Sequence, residues 1–98
     1  MVIRALKWIN VQTELTRIRI ALNSLYVSSW KYELKPEFMW TKTEVEEVVE
    51  LLEQAYELVR DERDLFRLVG DVDKMKVCDE SLDDVNAEIW KLKQRLAA

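Results

Sequence analysis

Residues 8–32 read WINVQTELTRIRIALNSLYVSSWKY, and their apolar side chains recur at helical spacing. The main row, at steps of three and four residues, consists of Trp8, Val11, Leu15, Ile18, Leu22 and Leu25 and is continued by Ser29 and Tyr32. A heptad pattern held over more than three repeats predicts one long helix. We expect this first helix to span about residues 3–34. It should end before Pro36, because the residue that precedes a proline is driven out of helical geometry.

Residues 35–42 are expected to form a linker to the second helix. The linker contains Phe38, Met39 and Trp40. Because these side chains are too apolar to be left in water, we expect this loop to fold over one end of the molecule.

The second helix is expected over about residues 43–69. Two Thr-x-x-Glu sequences, beginning at Thr41 and Thr43, fit a capping box, in which the hydroxyl and the carboxylate each accept a backbone N–H. Gly70 follows the last residue of the apolar pattern. We therefore predict that it adopts the left-handed conformation that ends many helices.

The third helix is expected over about residues 73–96, capped by Asp71 or Asp73. Its apolar residues keep one register from Met75 to Leu96, which favours a single helix over two. Short connections place neighbouring helices antiparallel. The sequence thus predicts an all-α fold: an elongated antiparallel three-helix bundle with a long first helix and coiled-coil-like packing, in one domain of residues 1–98.

The composition argues against many classes of function. The 98 residues include one Gly, one Pro, one Cys and no His. Glycine-rich phosphate loops, histidine acid–base catalysis, most zinc sites and an internal disulfide are therefore excluded. No signal peptide and no apolar run of membrane length is visible. We expect a cytoplasmic, non-enzymatic protein that has no catalytic residues, binds no cofactor or metal and does not bind membranes.

The first helix is apolar on two opposite sides. Opposite the main row lie Val2, Ile9, Ile20, Val27 and Leu34, flanked by Leu6 and Trp30; we call this set the outer face. Because a helix that is apolar on both sides must be covered twice, either helices 2 and 3 wrap it or a further chain packs on it. We favour a further chain, with a dimer as the simplest homo-oligomer. The polar residues Thr13, Thr16 and Asn23 leave the number of copies open.

Trp90 is a second candidate for contact with a partner protein. It lies on the side of the third helix opposite the apolar row. Exposed tryptophans are enriched at the centres of interfaces, so we include Trp90 among the expected interface residues. The alternative is that it packs against the linker or the end of the first helix.

Charge is divided unevenly along the chain. Residues 1–35 carry a net charge of +4, residues 36–73 carry −8, and residues 74–98 are neutral. The acidic surface predicted on the second helix comprises Glu46, Glu47, Glu50, Glu53, Glu57 and Asp61. A solvated helix face, or pairing with the basic first helix, explains such a run. The alternative is an acidic surface that mimics nucleic acid and blocks a basic protein. The basic residues of the first helix scatter around it, which argues against direct binding to DNA or RNA.

Carboxylates are the one group of side chains with catalytic potential. Glu47 and Glu50 form an E-x-x-E sequence, and Glu80 and Asp83 form an E-x-x-D sequence. The two motifs resemble those of the all-α nucleoside triphosphate pyrophosphohydrolases of the MazG type, and the resemblance is confined to these short stretches. It implies Mg²⁺-dependent hydrolysis of a nucleotide. Against this, Glu80 and Asp83 fall opposite the apolar row of the third helix, whereas a metal site between helices needs them inside.

The sequence is therefore compatible with three functions. The preferred one is a small helical module for protein–protein interaction, such as an adaptor, an assembly factor or an inhibitor, which self-associates through its first helix. The alternatives are the Mg²⁺-dependent pyrophosphohydrolase and the acidic nucleic-acid mimic.

Overall fold

The computed structural model describes the backbone of residues 2–98 and the side chains of residues 10–98. Its helices are α1 (Val2–Glu33), α2 (Lys42–Val69) and α3 (Val72–Ala97), and one 3-10 turn, Glu37–Met39, lies between α1 and α2. The chain is an all-α three-helix bundle in which α1 is the longest helix, as predicted. It measures 56 × 21 × 17 Å and is therefore elongated. The coiled-coil character of the packing stays a prediction.

The helix ends follow local chemistry that was visible in the sequence. Thr41 and Glu44 form the capping box of α2, which selects the first of the two candidate pairs. Gly70 ends α2 in the left-handed region with φ +75°, as predicted. Asp71, not Asp73, caps α3 by accepting a hydrogen bond from the backbone N–H of Lys74.

Two clusters of buried side chains form the core. The first lies where α2 turns into α3 and joins all three helices through Val11, Leu15, Phe66 and Cys78. The second lies at the opposite end of the α2–α3 hairpin and contains Val45, Val49, Ile89 and Leu92. α2 packs extensively on α3, and α1 packs mainly on α2. The molecule is thus an α2–α3 hairpin with α1 laid along one side.

The burial pattern matches the predicted apolar row of α3 and departs from that of α2 at one residue. Cys78, Leu82, Ile89 and Leu92 are buried, as their spacing predicted. The spacing on α2 predicts one apolar row and a second row that widens it: Val45, Val48, Leu52, Ala55, Val59, Phe66 and Val69, and then Leu51, Leu58 and Leu65. Val49 belongs to neither row and is nevertheless buried, because it packs against Ile89 and Leu92 of α3.

Polar contacts fix the C-terminal end of α1 to α2. The hydroxyl of the buried Tyr32 donates to Glu47, and the indole N–H of Trp40 donates to the Tyr32 carbonyl at 3.0 Å. Lys35 Nζ lies 2.6 Å from a carboxylate oxygen of Glu44. This hydrogen bond holds the pKa of Glu44 below its usual value. α1 and α2 therefore meet at a defined register.

The expectation that the linker side chains fold over the end of the bundle is wrong for two of three residues. Trp40 is half-buried against Tyr32, whereas Phe38 is 80% exposed and Met39 is also exposed. The reason is the orientation of the turn backbone. The guanidinium of Arg95 on α3 donates to the carbonyls of residues 37, 38 and 40, which draws the backbone toward α3.

Within residues 2–98, none of the helices combines the length and the apolarity that crossing a membrane requires.

Candidate interaction surface

The outer face of α1 is left uncovered along its described part. Ile20 is 66% exposed, Val27 56%, Trp30 61% and Leu34 87%. α2 and α3 cover only the opposite side of α1, through Val11, Leu15, Ile18 and Tyr32. The alternative in which helices 2 and 3 wrap the first helix from both sides is therefore wrong for residues 10–33. The outer-face residues Val2, Leu6 and Ile9 lie outside the described side chains.

The exposed positions of α1 follow a heptad pattern of their own. Among the exposed positions of α1 and the turn after it, one row at steps of three and four residues consists of Thr13, Thr16, Ile20, Asn23, Val27, Trp30 and Leu34. The Thr16 hydroxyl donates to the Gln12 carbonyl at 2.9 Å, so its hydrogen-bonding group is satisfied within the helix. An open cavity of about 630 Å³ lies beside Trp30, lined also by Val27 and Leu34. This surface has the spacing with which one helix packs along another.

Trp90 is exposed, as predicted, but it is separate from the outer face. It is 66% exposed and lies on α3, opposite the buried row. It does not line the cavity beside Trp30. The structure therefore does not join Trp90 and the described part of the outer face, residues 20–34, into one patch.

The six acidic residues of the predicted surface are all exposed, and the structure divides them. Glu47, Glu50, Glu57 and Asp61, together with Gln54, line a groove between α1 and α2. Glu46 and Glu53 do not line this groove, and Glu53 instead pairs with Lys93 of α3 at 3.5 Å. Glu47 contacts Tyr32 and Lys31. Glu50, Glu57 and Asp61 have no ion-pair partner among the residues described.

The groove was not identified from the sequence. Two adjoining cavities of about 260 and 440 Å³ form it, and both are lined by Gln54. Its floor consists of the half-buried Leu25, Leu51 and Leu58. On the α1 side the wall is made of the small residues Ala21, Ser24 and Ser28, with Lys31 and Tyr32 at the end beside Glu47. The sequence contains one indication of the groove. Residues 47, 50, 54, 57 and 61 are all acidic or amide residues at steps of three and four, which places them on one side of α2.

The carboxylate motifs do not assemble into a metal site. Glu47 and Glu50 line the groove beside α1, and Glu47 is bound to Tyr32. Glu80 and Asp83 are exposed on α3, the helix that packs on a different side of α2. In the part of the chain that the structure describes, no three acidic, Cys or His residues lie close enough to hold a metal ion. The geometry that the resemblance to pyrophosphohydrolases implies is thus not formed.

The thiol of Cys78 is buried in the first core cluster. Burial, reinforced by the nearby Glu62 carboxylate at 3.4 Å, raises the pKa of this thiol to about 12. A thiol with so high a pKa carries almost no thiolate near neutral pH, and the thiolate is the reactive form. Cys78 is therefore a packing residue.

Comparison with known proteins found no protein-family model, no curated protein and no solved structure that matches this chain.

Proposed function

We propose that this chain is a small helical module for protein–protein interaction that self-associates through the outer face of α1. The observation that carries the proposal is the exposed heptad row that contains Ile20, Val27, Trp30 and Leu34. Large apolar side chains at this spacing favour a partner helix laid alongside α1. Contiguous apolar patches of this kind on soluble proteins mark interaction sites.

The form of the outer face supports a second copy of the chain as the partner. A two-fold dimer brings the same patch of both copies into contact, and a helix face with apolar residues at heptad spacing packs on its own equivalent. α2 covers the opposite side of α1, so its acidic residues stay outside this interface.

The size of the exposed row is compatible with a stable contact. From residue 13 to residue 34 it extends about 30 Å along the helix, at about 1.5 Å per residue. Trp30 stands near one end, and burying one tryptophan removes about 150–250 Å² from water. We therefore expect Trp30 and its neighbours to supply much of the free energy of association.

The test is molar mass by light scattering on a sizing column, over a wide range of concentration. The chain has a mass of 11.7 kDa, so a dimer is expected at about twice that value. Val27→Glu places a charge in the exposed row and is expected to give a monomer, because an unpaired buried charge is costly. The matched control is Val77→Glu, since Val77 is also an exposed helical valine and lies on α3.

Two results would contradict self-association. One is a wild-type chain that stays monomeric up to millimolar concentration. The other is an oligomer that Val27→Glu and Val77→Glu weaken equally. Circular dichroism of both variants, compared with the wild type, verifies that each remains folded.

A further inference from the structure

The groove between α1 and α2 combines an apolar floor with an acidic rim. Leu25, Leu51 and Leu58 form the floor, and they remain half-buried because no side chain covers them fully. Glu50, Glu57 and Asp61 stand along the α2 rim without ion-pair partners in the described part of the chain. We propose that this groove binds a basic amphipathic helix of another protein, as a fourth helix added to the bundle.

The wall on α1 leaves room for a helix to approach closely. Its longer part consists of Ala21, Ser24 and Ser28, small residues at which helix axes come near one another, and Lys31 and Tyr32 line the end beside Glu47. The hydroxyl of Ser28 donates to the carbonyl of Ser24 at 3.0 Å, so this polar group is already satisfied within α1. The Ser28 hydroxyl therefore adds no uncompensated polarity to this wall, while the cation of Lys31 directs the basic flank of a partner toward α2.

The acidic rim defines the chemistry of the occupant. Carboxylates recur from residue 47 to residue 61, which is about 21 Å of helix, or four turns. A partner of about 14 residues matches this length. Its apolar side chains, at steps of three and four, would cover the floor, while Lys or Arg on its flank would face the rim. A complementary charge of this kind selects the partner and orients it.

The groove between α1 and α2 differs from a surface that mimics nucleic acid. A mimic presents carboxylates alone, so its binding would depend on charge and not on the floor. Here the acidic row borders an apolar surface, which favours a partner that is itself amphipathic. The inference goes beyond the self-association of α1 and does not depend on it, although groove and outer face adjoin at Ser28 and Lys31.

The probe is a fluorescein-labelled 14-residue peptide of leucine and lysine whose leucines recur at helical spacing, titrated with the full chain and followed by anisotropy. A peptide of the same composition in scrambled order forms no apolar face and serves as the first control. We expect the helical peptide to bind at least about tenfold more tightly than the scrambled one. Equal binding would overturn the proposal, because it would mean that charge alone is recognised.

Two sets of variants locate the site. The first set, Glu50→Gln with Glu57→Gln and Asp61→Asn, removes three charges from the rim. The matched control, Glu80→Gln with Asp83→Asn and Asp84→Asn, removes three exposed charges from α3. We expect the first set to weaken binding by about tenfold or more and the second to change it by less than about twofold. Equal losses in the two sets would overturn the assignment to the groove.

Filling the groove gives a test that leaves every charge in place. Ser24 is exposed, so Ser24→Trp adds a large side chain to the wall without disturbing the core. We expect it to abolish binding of the helical peptide, whereas Asn86→Trp, at an exposed position of α3, should leave binding unchanged. Unchanged binding by Ser24→Trp would refute occupancy of the groove. The oligomeric state of each variant, measured by light scattering, separates this outcome from a failure of self-association.

Discussion

Arg95 holds the connection between α1 and α2 against the end of α3, and its replacement tests how much that contact stabilises the fold. The guanidinium donates to the Glu37 carbonyl at 2.7 Å, to the Trp40 carbonyl at 2.8 Å and to the Phe38 carbonyl at 3.4 Å. Lysine at this position keeps the charge but cannot reach three carbonyls with one planar group. The informative change is therefore Arg95→Lys.

The magnitude follows from these distances and from exposure. A hydrogen bond to a charged group contributes about 1.5–3 kcal/mol when water is excluded. Arg95 is exposed, so water replaces much of each bond, and we assign about 0.5–1 kcal/mol to each of the two shorter ones. The loss expected for Arg95→Lys is thus about 1–2 kcal/mol. For a chain of this size, each kcal/mol lowers Tm by about 4–8 °C.

Urea unfolding monitored by circular dichroism, together with a thermal scan, measures this loss. The control is Arg60→Lys, because Arg60 is exposed on α2 and makes no ion pair among the described residues. We expect Arg60→Lys to change the free energy of unfolding by less than about 0.5 kcal/mol. An Arg95→Lys variant as stable as the wild type, or an equal loss in the two variants, would refute the reasoning.

Two further predictions concern Gly70 and Cys78. Gly70→Ala should lower the free energy of unfolding, measured by urea denaturation, by about 1–2 kcal/mol. The backbone φ is +75°, so an L residue is strained there even though open space surrounds the site. An unchanged urea midpoint would contradict this. Iodoacetamide at pH 8 should label Cys78 more slowly in the native chain than in the urea-unfolded chain, by on the order of a thousandfold, because burial raises the thiol pKa to about 12 and lowers the thiolate fraction to that extent. Equal labelling rates, measured by mass spectrometry, would contradict this.

Local rules predicted the helices well because each helix end depends on a few adjacent residues. Thr41 with Glu44, Gly70 and Asp71 each satisfy backbone groups within one turn, so the sequence pattern was sufficient to place them. The exposed outer face was predicted for the same reason. The 3.6-residue period separates Ile20 and Val27 from the buried side of α1 whatever the rest of the chain does.

The features that sequence patterns did not predict depend on contacts between segments that are distant in the sequence. The exposure of Phe38 follows from Arg95, which is 57 residues away and turns the linker backbone toward α3. The burial of Val49 follows from its contact with Ile89 and Leu92 of α3, which lie 40 or more residues away in the sequence. The groove exists because α1 presents serines and an alanine beside the acidic row of α2, and no single helix carries that information.

The attachment of α1 along one side of an α2–α3 hairpin has a consequence for cooperativity. The hairpin keeps one buried cluster, around Val45 and Leu92, to which no α1 residue from 10 to 33 contributes. Cooperative folding units differ in the free energy of their opening, and units with fewer buried apolar contacts open first. Amide hydrogens of α1 should therefore exchange with solvent deuterium through detachment of α1, which has a low free energy. Those of the hairpin should exchange only on global unfolding. We therefore expect the helix that carries the exposed apolar row to be the first cooperative unit to open.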